Sequence, residues 1–306
     1  MKKILSTAFC LAFLLFPSEI FLQEKQLDVP YVPTKPEVVA EMLRMANVGK
    51  DDILYDLGCG DGRIVITAAK LYGTRGVGVD IDPDRIAESK ENAAQANVTD
   101  LVQFYEQDLF KTDFHEATVV SLYLLTSVNL RLRPLLLSQL RPGTRVVSHN
   151  YGMDTWKPDQ SSEVMVNDIS HSVYLWIVPA NVSGAWEWTW MENSKKVPYQ
   201  MKVDQHFQNL DAKIMRKNQE LALKDIQLTG DKIQFIAETK EDGKTITMVF
   251  KGAASHNTIE GSVEIKGGDN PNKRDWVAVR NPATMKPLDT EEKSSWLKSF
   301  GFSALR

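Results

Sequence analysis

Apolar residues recur at three- and four-residue intervals along Glu37–Ala46, where Val38, Val39, Met42, Leu43 and Ala46 share one side, so the spacing predicts a helix. A short apolar strand, Ile53–Leu57, follows, and the two periods then alternate. A helix is expected over Arg63–Tyr72, a strand at Gly76–Val79, a polar-faced helix over Asp84–Asn97, and strands at Val102–Tyr105 and Thr118–Leu125. A leucine-rich helix over Leu130–Leu140 and a strand at Thr144–His149 complete the series. Strand and helix alternating on this spacing make right-handed βαβ units and a parallel sheet with helices on both faces. At Val164 the alternation stops. Glu163–Val166 and Val173–Val178 are strand-like with no helix between them, which places an antiparallel hairpin on the sheet edge.

Beyond Pro179 the pattern changes. Trp186, Trp188 and Trp190 alternate, and strand-like runs follow at Gln200–Phe207, Asp211–Arg216, Ala222–Leu228, Lys232–Glu238, Ile246–Phe250 and Ile259–Ile265. Turn residues such as Thr229-Gly230-Asp231 and Glu241-Asp242-Gly243 divide them, so the segment is expected to be a β-meander. The expected organisation is an α/β domain over 23–180, a small all-β domain over 181–266, and a loop-rich tail over 267–306 with one short helix near Thr290–Lys298. The tryptophans read as a core seam of the meander, with an exposed, lipid-facing row as the alternative.

Composition narrows the function. With 306 residues, 43% hydrophobic and 25% charged, the chain buries full-sized cores, which excludes disorder and collagen. Lys+Arg 36 against Asp+Glu 40 leaves no basic excess, so nucleic acid is not an expected partner. The basic stretch holding Arg131, Arg133, Arg141 and Arg145 is interleaved with leucines and reads as a solvated helix face, the alternative being a surface for an acidic target or lipid headgroups. Two cysteines, Cys10 and Cys59, provide neither a disulfide framework nor a thiolate zinc site, and the five histidines are scattered singly, so no metal is expected. At the N-terminus Lys2 and Lys3 precede the apolar run Ile4–Phe16, closed by Pro17-Ser18-Glu19. That order is a secretory signal or an uncleaved membrane anchor over 1–22, with a buried N-terminal helix as the plainer alternative. The positive-inside rule then carries the body across the membrane, exported to the periplasm or exterior or held at the membrane.

The chemistry concentrates at Asp56-Leu57-Gly58-Cys59-Gly60-Asp61-Gly62-Arg63, between a strand and a helix. Alternating glycines let the backbone approach a ligand where a Cβ would collide, and the following helix N-terminus offers free N–H groups. A tight βα turn with no ligand is the plain alternative. Two further aspartates end the next strands: Asp80, placed to accept from the hydroxyls of an adenosine ribose, and Asp108, placed to accept from the adenine amine. A dinucleotide oxidoreductase would carry Gly-x-Gly-x-x-Gly; here the loop is Gly-x-Gly-x-Gly behind Asp56, whose carboxylate would repel a pyrophosphate. It suits a ligand bearing an amino group, such as the methionine moiety of S-adenosylmethionine.

These residues resemble a class I, seven-strand S-adenosylmethionine-dependent methyltransferase: Asp56–Arg63 is similar to its first motif, Val79–Asp82 to its second, and Gln107-Asp108-Leu109 to its third. Together with Tyr31-Val32-Pro33-Thr34 and Arg145–His149, they resemble the membrane-associated lysine methyltransferases that modify the c-type ring protein of ATP synthase and the adenine nucleotide translocase, and their bacterial relatives. The resemblance spans about Tyr31 to Pro179 and implies a Rossmann-like seven-strand sheet with S-adenosylmethionine as cofactor. It also implies a protein lysine as acceptor, Gly58, Gly60 and Gly62 wrapping the donor, Asp80 on the ribose, Asp108 on the adenine, and Tyr31 and Thr34 as an N-terminal flap. The Asn/Asp-Pro-Pro-Tyr motif of many amine methyltransferases is replaced by Tyr123-Leu124-Leu125-Thr126, so the acceptor is not fixed by a motif. Tyr123, after the fourth strand, and His149, Asn150 and Tyr151, after the fifth, sit at the sheet end that would orient an amine; each also has an ordinary structural reading. The β-meander lies outside the resemblance and looks loosely lipocalin-like. Two other readings remain open: a methyltransferase acting on a small molecule or lipid, and a non-catalytic binding protein that uses this fold as a scaffold.

Overall fold

The computed structural model describes residues 31–289 apart from 193, 242 and 268–271. The leader expected over 1–22 and the short helix expected near Thr290–Lys298 lie outside the described residues. In chain order the first half consists of α1 (Pro36–Met45), β1 (Ile53–Leu57), α2 (Arg63–Tyr72), β2 (Arg75–Asp80), α3 (Pro83–Gln95), β3 (Val102–Glu106), β4 (Val119–Leu122), α4 (Thr126–Gln139), β5 (Arg145–His149), β6 (Gln160–Val166) and β7 (Ile169–Ile177). Pro36 and Pro83 sit in the first turns of α1 and α3, where a missing N–H costs nothing, and the Asp82 side chain caps α3 by accepting from Asp84 N at 2.9 Å. The strands lie in the order β3-β2-β1-β4-β5-β7-β6, with β7 antiparallel to β5 and to β6. Order reverses between β1 and β4, the switch point at which an open α/β sheet forms its crevice. The seven-strand sheet with its antiparallel edge hairpin is the expected α/β class.

One helix departs from the sequence pattern. α4 starts at Thr126, four residues before Leu130, because polar Asn129 and Arg133 stand on its buried face and hide the apolar period. Asn129 Nδ2 donates to the Tyr151 carbonyl at 3.1 Å, and Arg133 Nη1 to the Met153 carbonyl at 2.8 Å. Arg133 is fully buried, and its Nε and Nη2 each reach the Asp289 carboxylate at 3.0 Å. Arg145 is also tied down, donating to the Ala46 and Asn47 carbonyls and pairing with Asp52, while the Arg131 guanidinium covers the Phe110 ring at 4.1 Å. The expectation of a solvated arginine face is therefore corrected at Arg133 and Arg145, which hold backbone carbonyls and carboxylates inside the fold.

The second half is an up-and-down barrel of eight strands: β8 (Gly184–Glu192), β9 (Lys195–His206), β10 (Asn209–Arg216), β11 (Gln219–Thr229), β12 (Lys232–Glu241), β13 (Lys244–Ser255), β14 (Thr258–Lys266) and β15 (Asn272–Arg280). Neighbours pair antiparallel and β15 closes on β8. The expected loop-rich tail is corrected here, since its residues 272–280 are the closing strand. Their period is obscured because apolar residues occupy both faces: Trp276 and Ala278 are buried, whereas Val277 and Val279 are exposed. Trp186, Trp188 and Trp190 all point into the barrel, so the exposed-row alternative is not realised. Trp188 lies 5.8 Å from Trp276 between ring centroids, Trp190 5.7 Å from Phe250, and Phe235 4.5 Å from Phe250. The interior is filled by stacked and edge-to-face rings, a packed core like that of other small barrels. Trp188 Nε1 and Trp276 Nε1 find no oxygen or nitrogen acceptor there; the nearly perpendicular neighbouring rings leave π faces as the acceptors available to them.

The halves are joined by a plug. The turn between β9 and β10 places Phe207 at φ 54°, in the left-handed region, and buries its ring against Trp156 at 5.5 Å. Trp156 Nε1 donates to Gln208 Oε1 at 3.1 Å, and the Arg133 guanidinium lies over the Phe207 ring at 5.2 Å. Strain of about 1–3 kcal/mol at such a residue is offset by roughly 2–3 kcal/mol from burying the ring.

Candidate functional site

The crevice at the C-terminal ends of β1, β2, β3 and β4 is lined by Tyr31, Thr34, Asp56, Gly58, Gly60, Asp80, Asp108 and Tyr123, all singled out from the sequence. Asp61, Arg63, Arg85, Leu124 and Val128 complete much of the wall. The loop after β1 is shaped by hydrogen bonds from Gly58 N and Cys59 N to the Val79 carbonyl, at 2.8 and 2.9 Å, which bend it over the end of β2. Gly60, at φ 52°, lies flat under the Tyr31 ring, and a Cβ there would come within 2.5 Å of the ring. Gly62 does not line the crevice. It starts α2 at φ 78°, and a Cβ would meet Phe104 at 2.7 Å and Ser89 at 2.9 Å, so this glycine serves packing between helix and sheet.

The acidic residues have separate surroundings. Asp56 is 2% exposed and accepts from Ser121 Oγ at 2.8 Å. Burial, reinforced by the charges of Asp80 and Asp61, pushes its carboxyl up to about 7 despite the Ser121 bond. Asp80 accepts from Gly60 N at 2.9 Å and from Asp82 N at 3.0 Å, so the carboxylate links the glycine loop to the start of α3. Asp108 accepts from Phe110 N at 2.9 Å, which starts the short turn after β3. The Cys59 thiol is buried, and burial with Asp56 nearby raises it far above the range of a nucleophile.

Arg63, at the end of the glycine motif, is a functional residue that the sequence pattern did not single out. Its Nη1 donates to the Thr34 carbonyl at 2.8 Å, and its Nε and Nη2 reach Asp61 at 2.9 and 2.6 Å. Burial would raise the Asp61 carboxyl, but the Arg63 fork overrides it and holds the group below the usual range. The residue pair pins segment 31–34 across the crevice, and the Arg85 guanidinium lies over the Tyr31 ring at 4.6 Å. The signal available in sequence was the position of Arg63 directly after Gly62, where a long donor at a helix start can reach a chain crossing the loop.

Beside the crevice lies an aromatic and imidazole cluster. The Tyr123 ring stacks on His149 at 3.8 Å and on Tyr151 at 6.1 Å. His149 is 1% exposed and sits behind the wall: its Nδ1 is 3.2 Å from Thr34 Oγ1 and its Nε2 is 2.9 Å from His171 Nδ1. Burial, with His171 adding to it, lowers the His149 imidazole to about 4, so it is neutral at physiological pH. Asn150 lies outside the crevice wall. Its Oδ1 accepts from Ser172 N at 2.9 Å and its N–H donates to the Ser172 carbonyl at 2.7 Å, at φ 60°, so it shapes the turn after β5 that presents Tyr151. Asn150 thus supports the cluster from the turn after β5, and its side chain is also hydrogen-bonded to Tyr123. His171, on β7, was passed over because a lone histidine in an alternating edge strand carries no pattern. Among the described residues no group of three or more His, Cys, Asp or Glu could hold a metal ion.

The sequence profile of the ANTKMT methyltransferase domain matches residues 56–160. A protein-lysine N-methyltransferase of Saccharolobus islandicus (strain REY15A) is 47% identical over 151 residues, covering 49% of this chain and 94% of that protein. This chain belongs to that methyltransferase family. It is an S-adenosylmethionine-dependent methyltransferase. The adenine nucleotide translocase lysine N-methyltransferase of Mus musculus is 32% identical over 133 residues, 44% of this chain and 58% of that protein. The chain thus spans under two thirds of this mammalian relative. Among solved structures, an RNA methyltransferase from Salinibacter ruber in complex with S-adenosyl-L-homocysteine is 52% identical, covers 49% of this chain and 96% of its own, and superposes with a TM-score of 0.47.

The methyltransferase crevice fits the methyl donor. Asp56 is a buried carboxyl held by one serine hydroxyl, which an ammonium group would satisfy as a charge partner. At Gly60 the Tyr31 ring leaves no room for a side chain, so the segment at 31–34 packs directly on the glycine loop at the crevice.

Proposed function

We propose that this methyltransferase N-methylates lysine side chains of a protein. The observation that carries the reading is the 47% identity, across nearly the whole of its length, to a protein-lysine N-methyltransferase. Asp56 pairs with the donor's amino group, Gly58 and Gly60 pack along its methionine and ribose, Asp80 accepts from the ribose hydroxyls and Asp108 from the adenine amine. Gly62 holds the loop in shape by packing, and Tyr31 and Thr34 cover the site, pinned by Arg63. S-adenosylmethionine supplies an electrophilic methyl group on a sulfonium. The chain's own part is to align and dehydrate the acceptor, since an in-line displacement that disperses positive charge needs position more than strong acid or base. A free lysine, with a pKa near ~10.4, must lose a proton before it can attack. The face of Tyr123, backed by His149 and flanked by Tyr151, is the surface that would receive the amine.

The test is incubation of the full chain with isotopically labelled S-adenosylmethionine and, separately, poly-L-lysine, an RNA pool and lipid vesicles. Methyl-lysine detected by tandem mass spectrometry supports the reading; label confined to RNA or lipid refutes it. Asp80→Ala is the control for donor dependence. We further propose that the enzyme is exported or held at a membrane through its N-terminal segment. Lys2, Lys3 and the apolar run Ile4–Phe16 support this, while among the described residues no helix is long and apolar enough to cross a membrane. Protease accessibility in intact cells tests it, and a fully protected, soluble enzyme would overturn it.

A further inference from the structure

We propose that Thr34, His149 and His171 form a path that carries the acceptor's proton from the crevice to solvent before methyl transfer. The path rests on the amine reading of the site given above.

Three observations carry it. Thr34 is part of the crevice wall, and its Oγ1 lies 3.2 Å from His149 Nδ1. His149 Nε2 lies 2.9 Å from His171 Nδ1, so the imidazole uses both of its ring nitrogens in one continuous line. His171 is half-buried near the start of β7, so the line runs from the crevice wall to a group in partial contact with solvent. Two imidazoles sharing a hydrogen bond through ring nitrogens must hold opposite roles at the shared contact, one donating and one accepting. In the tautomers the path requires, the Thr34 hydroxyl donates to His149 Nδ1, His149 Nε2–H donates to His171 Nδ1, and His171 carries its own proton on Nε2, a single polarity along the line.

The step balances. The lysine ammonium passes a proton to Thr34 Oγ1, and the hydroxyl proton moves to His149 Nδ1. The Nε2 proton of His149 moves to His171 Nδ1, and the Nε2 proton of His171 leaves to water. The amine nitrogen is left with a lone pair, which forms the new N–C bond as the S–C bond of the donor breaks and its electron pair stays on sulfur. After product release the line has the opposite polarity, and it resets when a proton from solvent enters at His171 Nε2, each proton shifts one position inward, and Thr34 gives one to the water that refills the crevice. A buried imidazole that stays neutral suits this use, because a positive charge held there would lie close to the sulfonium and oppose its binding. Tyr123, stacked on one face of His149, keeps the ring in the orientation that both contacts require. His171 acts through His149 and is a positioning and relay residue.

The experiment compares the full chain with His171→Ala, Thr34→Val and Thr34→Ser, measuring kcat and KM for methyl transfer from S-adenosylmethionine to poly-L-lysine, with donor affinity by calorimetry. His171→Ala is expected to lower kcat roughly 100-fold with KM for the donor and donor affinity essentially unchanged. Added imidazole, which can occupy the vacated surface position, restores kcat in that variant. Thr34→Ser, which keeps a hydroxyl, retains more of the rate than Thr34→Val. Wild-type kcat in His171→Ala, or a loss that imidazole does not restore, overturns the path while leaving lysine methylation standing. Donor binding by the unaltered chain without methylation of poly-L-lysine overturns the amine reading and the path with it.

Discussion

Asp56 ties donor binding to the stability of the empty enzyme. Moving a carboxyl from its ordinary 3.8 to about 7 corresponds to roughly 4 kcal/mol, at about 1.4 kcal/mol per pH unit. Because the folded-state value is raised, the folded chain holds a proton that the unfolded chain has already lost between those two values. Stability contributed by this group is therefore present at low pH, falls as pH rises from about 4 to about 7, and stays low above that. Asp56→Asn keeps the acceptor for Ser121 Oγ and removes the titration. Its new amide hydrogens cost about 1–3 kcal/mol if unpartnered, but that cost does not depend on pH. The diagnostic is the change with pH: relative to wild type, the variant gains on the order of 2–3 kcal/mol between pH 5 and pH 8, read by urea denaturation of the ligand-free chain. Donor binding behaves oppositely. At pH 6 only about a tenth of Asp56 is ionised, so wild-type affinity for S-adenosylmethionine is expected to be about tenfold weaker than at pH 8. The variant binds poorly at both. A stability difference that is flat from pH 5 to 8, or an Asn variant that binds the donor as tightly as wild type at pH 8, would refute the reasoning.

Three further outcomes follow from geometry already given. Asp289→Ala leaves the fully buried Arg133 guanidinium without its carboxylate, and a loss of about 3–5 kcal/mol is expected in chemical denaturation; an effect within about 0.5 kcal/mol would place the pair in the surface class. Gly62→Ala forces a side chain into a left-handed position against Phe104 and Ser89; it should cost about 2 kcal/mol or more by thermal unfolding, though the residue is outside the crevice wall. Arg63→Gln breaks the link to the Thr34 carbonyl and releases Asp61, so calorimetry should show donor affinity reduced roughly tenfold, the equivalent of about 1.4 kcal/mol, with the melting temperature little changed.

The sheet was legible because most of its helices and strands keep one period: Val38 to Ala46 and Ile64 with Ala68 mark buried helix faces, though Leu71, expected on the same side, is exposed, and the aspartates at the ends of β1 and β2 mark the crevice. Legibility failed wherever a polar residue is buried for a tertiary reason. Arg133 and Asn129 face inward on α4 to hold carbonyls 20 or more residues away and a carboxylate at position 289, and no local pattern can announce such partners. The barrel's last strand was hidden by Val277 and Val279 on its outer face. In the site, the loop glycines and the crevice aspartates Asp80 and Asp108 follow from local spacing. His171 and the anchoring use of Arg63 depend on β7 lying beside β5 and on segment 31–34 crossing the crevice, which are products of the assembled fold.

The Arg133–Asp289 contact also sets a timetable. The helix that carries Arg133 is made early, but the carboxylate that completes its surroundings, and the strand at 272–280 that closes the barrel, are the last described parts to be made. At roughly 5–20 residues per second, a nascent chain that has just finished β7 waits on the order of ten seconds for Asp289. During that interval a buried cation lacks its counter-charge and the barrel has two open edges, a condition under which a stalled or truncated chain is a substrate for quality-control proteases.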